Sequence, residues 1–461
     1  MFTRSLARLV AAVLATCASA QAATFVVDTN DDSIDAVPGD GLCIDADGHC
    51  SLRAAVMETN ALEGADTIEV AAGVFAFAIV GTDEDGAASG DLDIDDDLTL
   101  HGGGSDATFI DAAALDRVIE IIGSTAPRSV VIEHMTLRNG FLSGGGLESG
   151  GAGFRVGTGV HLALDDVAVR DNRSTHSFGG VAIDSQGCIE GVHVRVLGNR
   201  DTKETGSAFA VATLRNYEVD GSVDRGACLV LEDSEISGNL ADIAGAIEAD
   251  YAPTTLRRTL VSDNEARASG AMLFNLAADA LLENVTITGN RGNPGAILND
   301  GGSHLTLVDS TVTANTGVPG LGATVGGIQD VHGGFGFTFL ANTILSGNGP
   351  GFIADDCERA TSLGGNIVGD SARCHFDAGP SDQLDADPAL GPLADNGGFT
   401  RTHLPGGAAI DRGTAENCLA TDQRGVERPL DGDEDGIAAC DVGAVELEVE
   451  LDAIFFDGFD A

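Results

Sequence analysis

Three groupings of carboxylates in this chain could do chemistry. Asp165 and Asp166 are adjacent, with Arg170 and Asp171 close behind, and a pair of carboxyls on a rigid surface can divide acid and base work on a glycan. Asp431, Asp433 and Asp435 followed by Gly436 give the Asp-x-Asp-x-Asp-Gly opening of a calcium loop, with hard oxygen ligands and a glycine at the sharp turn. Its twelfth position is Val442, where an EF-hand would place a bidentate Glu, so the bland reading is an acidic surface turn and the sharper one is calcium. Asp91, Asp93, Asp95, Asp96 and Asp97 form a second cluster that could hold calcium loosely.

Each grouping is weighed against what a glycan-active site needs. A hydrolase of polygalacturonan type would carry Asn-Thr-Asp, a paired Asp, Gly-His-Gly and an Arg-Ile-Lys-like set on successive turns of its scaffold, and only the paired Asp is here. A lyase of pectate type needs calcium-binding carboxylates and a basic residue as base, whereas Lys203 is the only lysine. Sugar rings stack on Trp or Tyr, yet there is no Trp, and Tyr217 and Tyr251 are the only tyrosines. Phe154, Phe209 and Phe274 read as core fillers. No catalytic residue is therefore assigned, with Asp165 and Asp166 kept as the alternative, and the Asp pair reads first as a solvated face.

Whatever positions these residues is repetitive. An aliphatic residue, a short spacer, a polar residue or Gly, and then Asn recur at Met135 to Asn139, Val169 to Asn172, Val196 to Asn199, Ile236 to Asn239, Val261 to Asn264, Ile287 to Asn290, Val312 to Asn315 and Leu345 to Asn348. Aligned on Asn, one column holds Val131, Leu164, Leu231, Leu256, Leu282, Leu307 and Leu340, broken by Gly191. A second holds Val169, Val196, Ile236, Val261, Ile287, Val312 and Leu345, broken by Thr136. Two aliphatic columns one repeat apart are what a stacked core requires, because each coil buries its inward side chains only against its neighbours. Gly245-Ala246-Ile247, Gly270-Ala271-Met272 and Gly295-Ala296-Ile297 mark a second short strand per coil. A leucine-rich repeat would place Leu two residues past its Asn, and Ser174, Asp201, Ala241, Ala266, Gly292 and Gly317 stand there instead. The expected fold is all-β, a right-handed parallel β-helix over residues 64–350, of about eleven coils and on the order of 50 Å long at the inter-strand spacing. Leu98–Asp111 and Arg117–Ile121 read as early coils. The Asn column is expected to take the left-handed corner and to hydrogen-bond from coil to coil.

Alignment also stacks Cys188 on Cys228, provided that about 200 to 224 loops out, and adjacent strands lie within disulfide reach. His161 and His304 fall in the same column and are expected in an exposed turn.

Residues 1–22 read as a secretory signal peptide: Arg4 and Arg8, then Leu9, Val10, Val13 and Leu14, then small residues with cleavage after Ala20 or Ala22. Loss of the two arginines takes the net charge from −48 to −50, which repels phosphate backbones and anionic lipids and excludes nucleic acid as a partner. Eight cysteines remain once Cys17 leaves with the signal, an even count that suits disulfides in an exported chain. No later segment is long enough for a transmembrane helix.

The ends carry resemblances. Residues 23–63 hold strand Thr24–Val27, a loop closed by Cys43 and Cys50, and a Ser51-capped helix with Leu52, Ala55, Val56 and Leu62 on one face. Cys50-Ser-Leu-Arg-Ala-Ala55 resembles the Cys-Ser-Leu-Arg-Glu-Ala signature of the CSLREA N-terminal domain of exported bacterial β-helix proteins, with Ala54 in place of Glu. Residues 351–446 hold Gly365–Gly369, Asp387–Gly398, Ala409–Gly413, Asp422–Gly425, Arg428-Pro429 and Cys440–Glu446, which together resemble the region termed choice-of-anchor Q. The resemblance implies a cap whose Asp, Arg and Gly residues hold the last coils closed, and Cys357 with Cys374 and Cys418 with Cys440 are the natural local bridges. The central Asn and Gly-Ala-Ile phrases are similar to polymorphic outer membrane protein repeats, which belong to adhesins. The tail, 447–461, ends in Ile454–Phe459, read as a strand on the final coil or an attachment signal. Together these imply a secreted or outer-surface bacterial scaffold, non-enzymatic and monomeric, binding a surface ligand, glycan or protein through loops on a rigid rod; the alternative is a polysaccharide lyase or glycoside hydrolase, with calcium the only cofactor in question.

Overall fold

A computed structural model describes residues 22–82, 84–143, 150–175, 179–184, 186–201, 212–215, 218–219, 222–223, 227–318, 325–331, 337–349 and 355–448. Residues 1–21, nearly all of the segment expected as a signal peptide, lie outside them, as do Lys203, Phe209, Tyr217 and the 454–459 aromatic tail.

Each coil is built from short parallel strands. In the coil after Cys228 the chain runs through Cys228–Glu232, turns a corner, continues as Glu235–Ser237, makes the two-residue strand Leu240–Ala241, and returns along Ile247–Asp250. The next coil lays Thr254–Arg257, Leu260–Ser262, Glu265–Ala266 and Met272–Asn275 on these in parallel register. Stacking builds one sheet of 23 strands folded along the corner, one of 9 and one of 7. The fold is thus an all-β parallel β-helix, and each coil carries more strands than the two that the aliphatic and Gly-Ala phrases mark. Parallel pairing extends from Thr24–Val26 to His375–Asp377 and Gln383–Leu384.

The interior is the two aliphatic columns. Leu256, Leu282, Leu307 and Leu340 pair in sequence, as do Val261, Ile287, Val312 and Leu345, and all are fully buried. Phe154 and Phe274 fill the same core. The register differs from the Asn alignment in one coil: Leu164 pairs with Ile132 rather than Val131, and Val169 with Leu137 rather than Thr136. This one-residue slip removes Thr136 as an exception. It also excludes Asn139 from the Asn column, because Gly140 holds that place and donates its N–H to Asn172 Oδ1 at 2.7 Å.

From Asn172 onward the column is a buried ladder. Each Asn gives its backbone N–H and its side-chain Nδ2–H to the Oδ1 of the next, through Asn199, Asn239, Asn264, Asn290, Asn315 and Asn348, ending on Asp356. The left-handed corner itself belongs to the residue before each Asn, namely Asp171, Gly198, Gly238, Asp263, Gly289, Ala314 and Gly347. The Asn is therefore the ladder and its predecessor the bend, which suits the Asp or Gly that precedes every ladder Asn except Asn315, where Ala314 takes the bend.

Four disulfides join Cys43 to Cys50, Cys188 to Cys228, Cys357 to Cys374 and Cys418 to Cys440. Cys188 and Cys228 are direct register partners, with Cα atoms 4.5 Å apart. The stretch between them does not simply loop out: Arg200–Asp201 and Ala212–Arg215 take their places in the sheets, and Glu218–Val219 with Ser222–Val223 form a small hairpin.

At the N-terminal end, helix α1 (Leu52–Ala61) starts where Ser51 Oγ accepts from Ala54 N, and it packs near Asp66–Glu69 and Leu92–Ile94. It is buried on more than the one apolar face its sequence shows, since Arg53 and Glu58 are also covered. Glu58 accepts the N–H groups of Gly39 and Gly41. Arg53 is fully engaged without a Glu at position 54: its Nε meets Asp32 at 2.6 Å, and its Nη atoms reach the carbonyls of Ala87, Gly90 and Asp91.

The C-terminal segment does not sit over the last coils alone. It runs lengthwise along the flank: Asn342 bonds Thr414, Asp309 accepts Leu419 N and faces Arg428, Asn284 donates to Thr421 O, Thr286 bonds Gln423, and His403 Nε2 meets Thr288. Its farthest described reach is Phe399, 4.8 Å from the His193 ring and 4.7 Å from the Arg195 guanidinium.

Candidate functional site

Asp165 and Asp166 lie where the strand Val160–Arg170 turns the corner between the two halves of the large sheet. Asp166 takes the left-handed conformation and turns back toward earlier coils, accepting from Ser105 N at 3.1 Å and Oγ at 2.5 Å and standing 3.4 Å from His134 Nδ1. Asp165 faces the next coil, 3.3 Å from His193 Nδ1. The two carboxylates thus serve opposite neighbours. Partial burial works to raise the Asp166 pKa, but the Ser105 hydroxyl and amide and the His134 ring outweigh it and hold the carboxyl below its ordinary range. Arg170 and Asp171 stand at the far end of the strand, 4.0 Å from each other.

The same corner gathers residues that the motif search missed. His101, Glu133 and Asp165 are consecutive register partners, and His134 and Asp166 occupy the next position along. His101 Nδ1 is 3.0 Å from Glu133 Oε1, and the His101 and His134 rings meet edge to face at 5.3 Å. Each of His101, Glu133 and His134 is half-buried, and each can bring a ligand atom within 4.8 Å of the others. The signal was present in the sequence, but the one-residue slip at Asn139 sets Glu133 opposite Asp166 and hides the column.

A second grouping lies on the 9-stranded sheet. Asp93, Glu120 and Arg155 are consecutive register partners. Leu92 and Ile94 point into the core, so Asp93 points outward, where the 84–91 loop folds over it and Ala87 N donates to its Oδ2 at 2.9 Å. Asp91 lies beside it, paired with Arg117 at 3.2 Å, and Arg117 also bonds Glu120. Burial first, and the Asp91 charge second, push Asp93 up to about 8, while burial raises Asp91 against the pull of Arg117. Asp91, Arg117, Glu120 and Arg155, though not Asp93, border a cleft of about 640 Å³ whose wall also includes Glu84, Asp85 and Asp116. The rest of the Asp91 to Asp97 run is dispersed: Asp95 pairs with Arg128, and Asp97 accepts Ser129 N.

Asp433 and Asp435 are exposed and Asp431 is half-buried, and they cap their own turn, Asp431 accepting from Asp435 N and Gly436 N. Asp411, rather than Asp435, comes close enough to share a cation with Asp431 and Asp433. Val442, the twelfth position, is buried in a small apolar cluster where the flank segment meets Ile344 and Ile367 of the rod. His161 and His304 are exposed as expected, but on strands rather than turns, beside Glu190 and Asp279 respectively.

No protein-family model matches the chain, and no curated protein matches it. Among solved structures, it is similar to a crystal structure of the pectate lyase Pel9A, with a TM-score of 0.50 and 13% sequence identity over 93% of this chain and 97% of that one. At that identity the likeness is one of fold, and with the parallel stacking and buried ladder it establishes this chain as a right-handed parallel β-helix.

Proposed function

We propose that the chain is an exported, non-enzymatic β-helix scaffold of the bacterial surface that binds a glycan or protein through the loops and outer columns of a rigid rod. One observation carries this reading. The charged groups on its outer columns stand beside partners from coil to coil, His101 with Glu133, His193 with Asp165, Arg155 with Glu120 and Asp184, and Arg258 with Glu232 and Asp233. Residues 23–63 and 351–446 would be CSLREA-type and choice-of-anchor Q-type ends, consistent with secretion behind the signal peptide, and four disulfides suit an oxidising compartment. No described helix is long and apolar enough to cross a membrane. Calcium enters as a proposed ligand of Asp431 and Asp433 with Asp411.

A second reading, action on an extracellular polyuronate, is favoured by the carboxylate-lined cleft around Asp91 and Glu120 and by the fold shared with a pectate lyase. Against it, Arg117, the basic residue of that cleft wall, is already engaged by two carboxylates, Asp91 and Glu120. The decisive experiment incubates the full chain with polyuronates and neutral glycans, with and without calcium, following unsaturated product and reducing ends. The scaffold reading expects binding without turnover. Turnover that is lost in Asp165→Asn with Asp166→Asn, or in Asp91→Asn with Glu120→Gln, would replace it.

A further inference from the structure

We propose that His101, Glu133 and His134 form a binding site for one divalent transition-metal ion, with Asp166 as the positioning residue of His134. The inference holds whether the rod is a scaffold or an enzyme, because it rests on the ligand set alone.

The set is of the right kind. Two imidazoles and a carboxylate are borderline nitrogen and hard oxygen donors, the combination that suits zinc and its neighbours rather than calcium, which prefers oxygen alone. Strand register fixes the spacing, since His101 and Glu133 are direct partners on adjacent strands and His134 follows Glu133 at the corner. All three offer donor atoms within 4.8 Å of one another. The left-handed backbone of His134 is a position that β-carbon residues seldom take, and it aims the ring back over His101. Asp166 lies 3.4 Å from His134 Nδ1 and is itself fixed by two bonds from Ser105, so His134 presents Nε2 outward in the carboxylate–histidine arrangement that orients metal ligands.

Charge balance separates this cluster from the others. Among the described residues, Glu133 and Asp166 have no arginine partner: Glu133 meets His101, and Asp166 meets His134 and the neutral Ser105, so with neutral rings no positive charge balances the two carboxylates. In the Asp91, Asp93 and Glu120 cluster, Arg117 already supplies the cation. At His161 and Glu190 the third donor is Cys188, whose sulfur is spent in a disulfide. Asp431 and its neighbours are acidic only. Among the described residues, the His101 cluster alone combines nitrogen ligands, a positioning carboxylate, solvent access and unbalanced charge.

The test is isothermal titration of the full, disulfide-intact chain with zinc chloride in excess calcium, followed by cobalt substitution read by visible absorption. One strong site per chain is expected, weakened at least about tenfold in His101→Ala and in His134→Ala and by roughly tenfold in Asp166→Asn. His304→Ala, which removes a similar exposed histidine beside a carboxylate, serves as the control and should leave that site intact. Thermal melts in chelator establish that each variant is folded. If His134→Ala does not fold, His101→Ala and Glu133→Gln carry the comparison, because both lie on straight strand. Absence of zinc binding, or binding unchanged in the His101→Ala and Glu133→Gln chains, would overturn the proposal, as would a loss in His304→Ala as large as in His101→Ala.

Discussion

Asp93→Asn should make this protein more stable at neutral pH. Asp93 is only 1% exposed, covered by the 84–91 loop, and it sits beside the Asp91 carboxylate and close to Glu120. Burial and Asp91 raise its pKa from 3.8 to about 8, so the folded chain holds the acid protonated at pH 7 while the unfolded chain ionises it. The sign follows: a raised folded pKa means that the contribution is most favourable below pH 3.8 and is lost as pH rises toward 8. At about 1.4 kcal/mol per pKa unit, the gap between 3.8 and pH 7 costs on the order of 4 kcal/mol. Allowing half for relaxation and water entry leaves about 2 kcal/mol. Asn copies the neutral acid: its oxygen can accept from Ala87 N, which now lies 2.9 Å from Oδ2, and its amide can face Asp91. Urea denaturation in chelator at pH 4.5, 7 and 8.5 should show little difference at the lowest pH and a growing gain for the variant above it. A variant that is neutral or destabilised throughout, with the parental pH slope intact, would refute the buried-acid account.

Three other outcomes are expected. Asn264→Ala removes a rung whose Nδ2 serves Ile236 O and Asn290 and whose Oδ1 receives two donors from Asn239, and orphaning these buried groups should cost roughly 2–4 kcal/mol by urea denaturation. Arg53→Lys should destabilise the N-terminal end nearly as much as Arg53→Ala, about 3 kcal/mol, because an ammonium cannot reproduce a fork spanning Asp32 and three carbonyls; faster amide hydrogen exchange confined to the 84–91 loop would locate the effect. His403 is held neutral by burial, its pKa lowered against the pull of Gly391 O, so the stability it contributes is present above 6.5 and is lost as pH falls below that value. Limited proteolysis should accordingly release the flank segment faster at pH 5 than at pH 7.5, and His403→Gln should blunt the difference.

The stacked core was legible because burial leaves its mark on every coil: Leu256, Leu282 and Leu307 recur at the spacing that parallel register demands. What the sequence hid was set by backbone conformation. Asn139 resembles the ladder residues, yet it is the left-handed residue of its coil, equivalent to Asp171, and bonds Asp111 instead. Since side chains alternate faces along a strand, that one-residue error separates Glu133 from Asp165 and His134 from Asp166, the pairs that define the corner. The Asp91 to Asp97 run shows the opposite failure. Proximity in sequence suggested one cluster, whereas the bend after Ile94 sends Asp95 to Arg128 and leaves Asp91 and Asp93 to join Glu120 from the next coil. The roles of Asn and its predecessor were likewise out of reach, because either residue type tolerates the left-handed region and only the geometry shows which one bends.

The flank segment explains why the chemistry collects where it does. Corner residues from His134 to Asn342 all adopt the left-handed conformation, so backbone demand is the same along the column and cannot account for their differing identities. Cover can. Where the segment bonds the corner, Asn342 is satisfied by Thr414, Asn284 gives its Nδ2–H to Thr421 O, and Asp309 is matched by the buried Arg428, while Asp233 and Arg258, the charged corner residues farther along, pair with each other. An ionised side chain without such a partner would cost several kcal/mol there. Beyond Phe399 that constraint ends, and the column turns to His134 and Asp166, groups that water or a bound ion can serve. Removing the segment would therefore not extend the reactive surface; it would expose a stretch whose residues were chosen by burial. The open coils before it are free of that burial constraint.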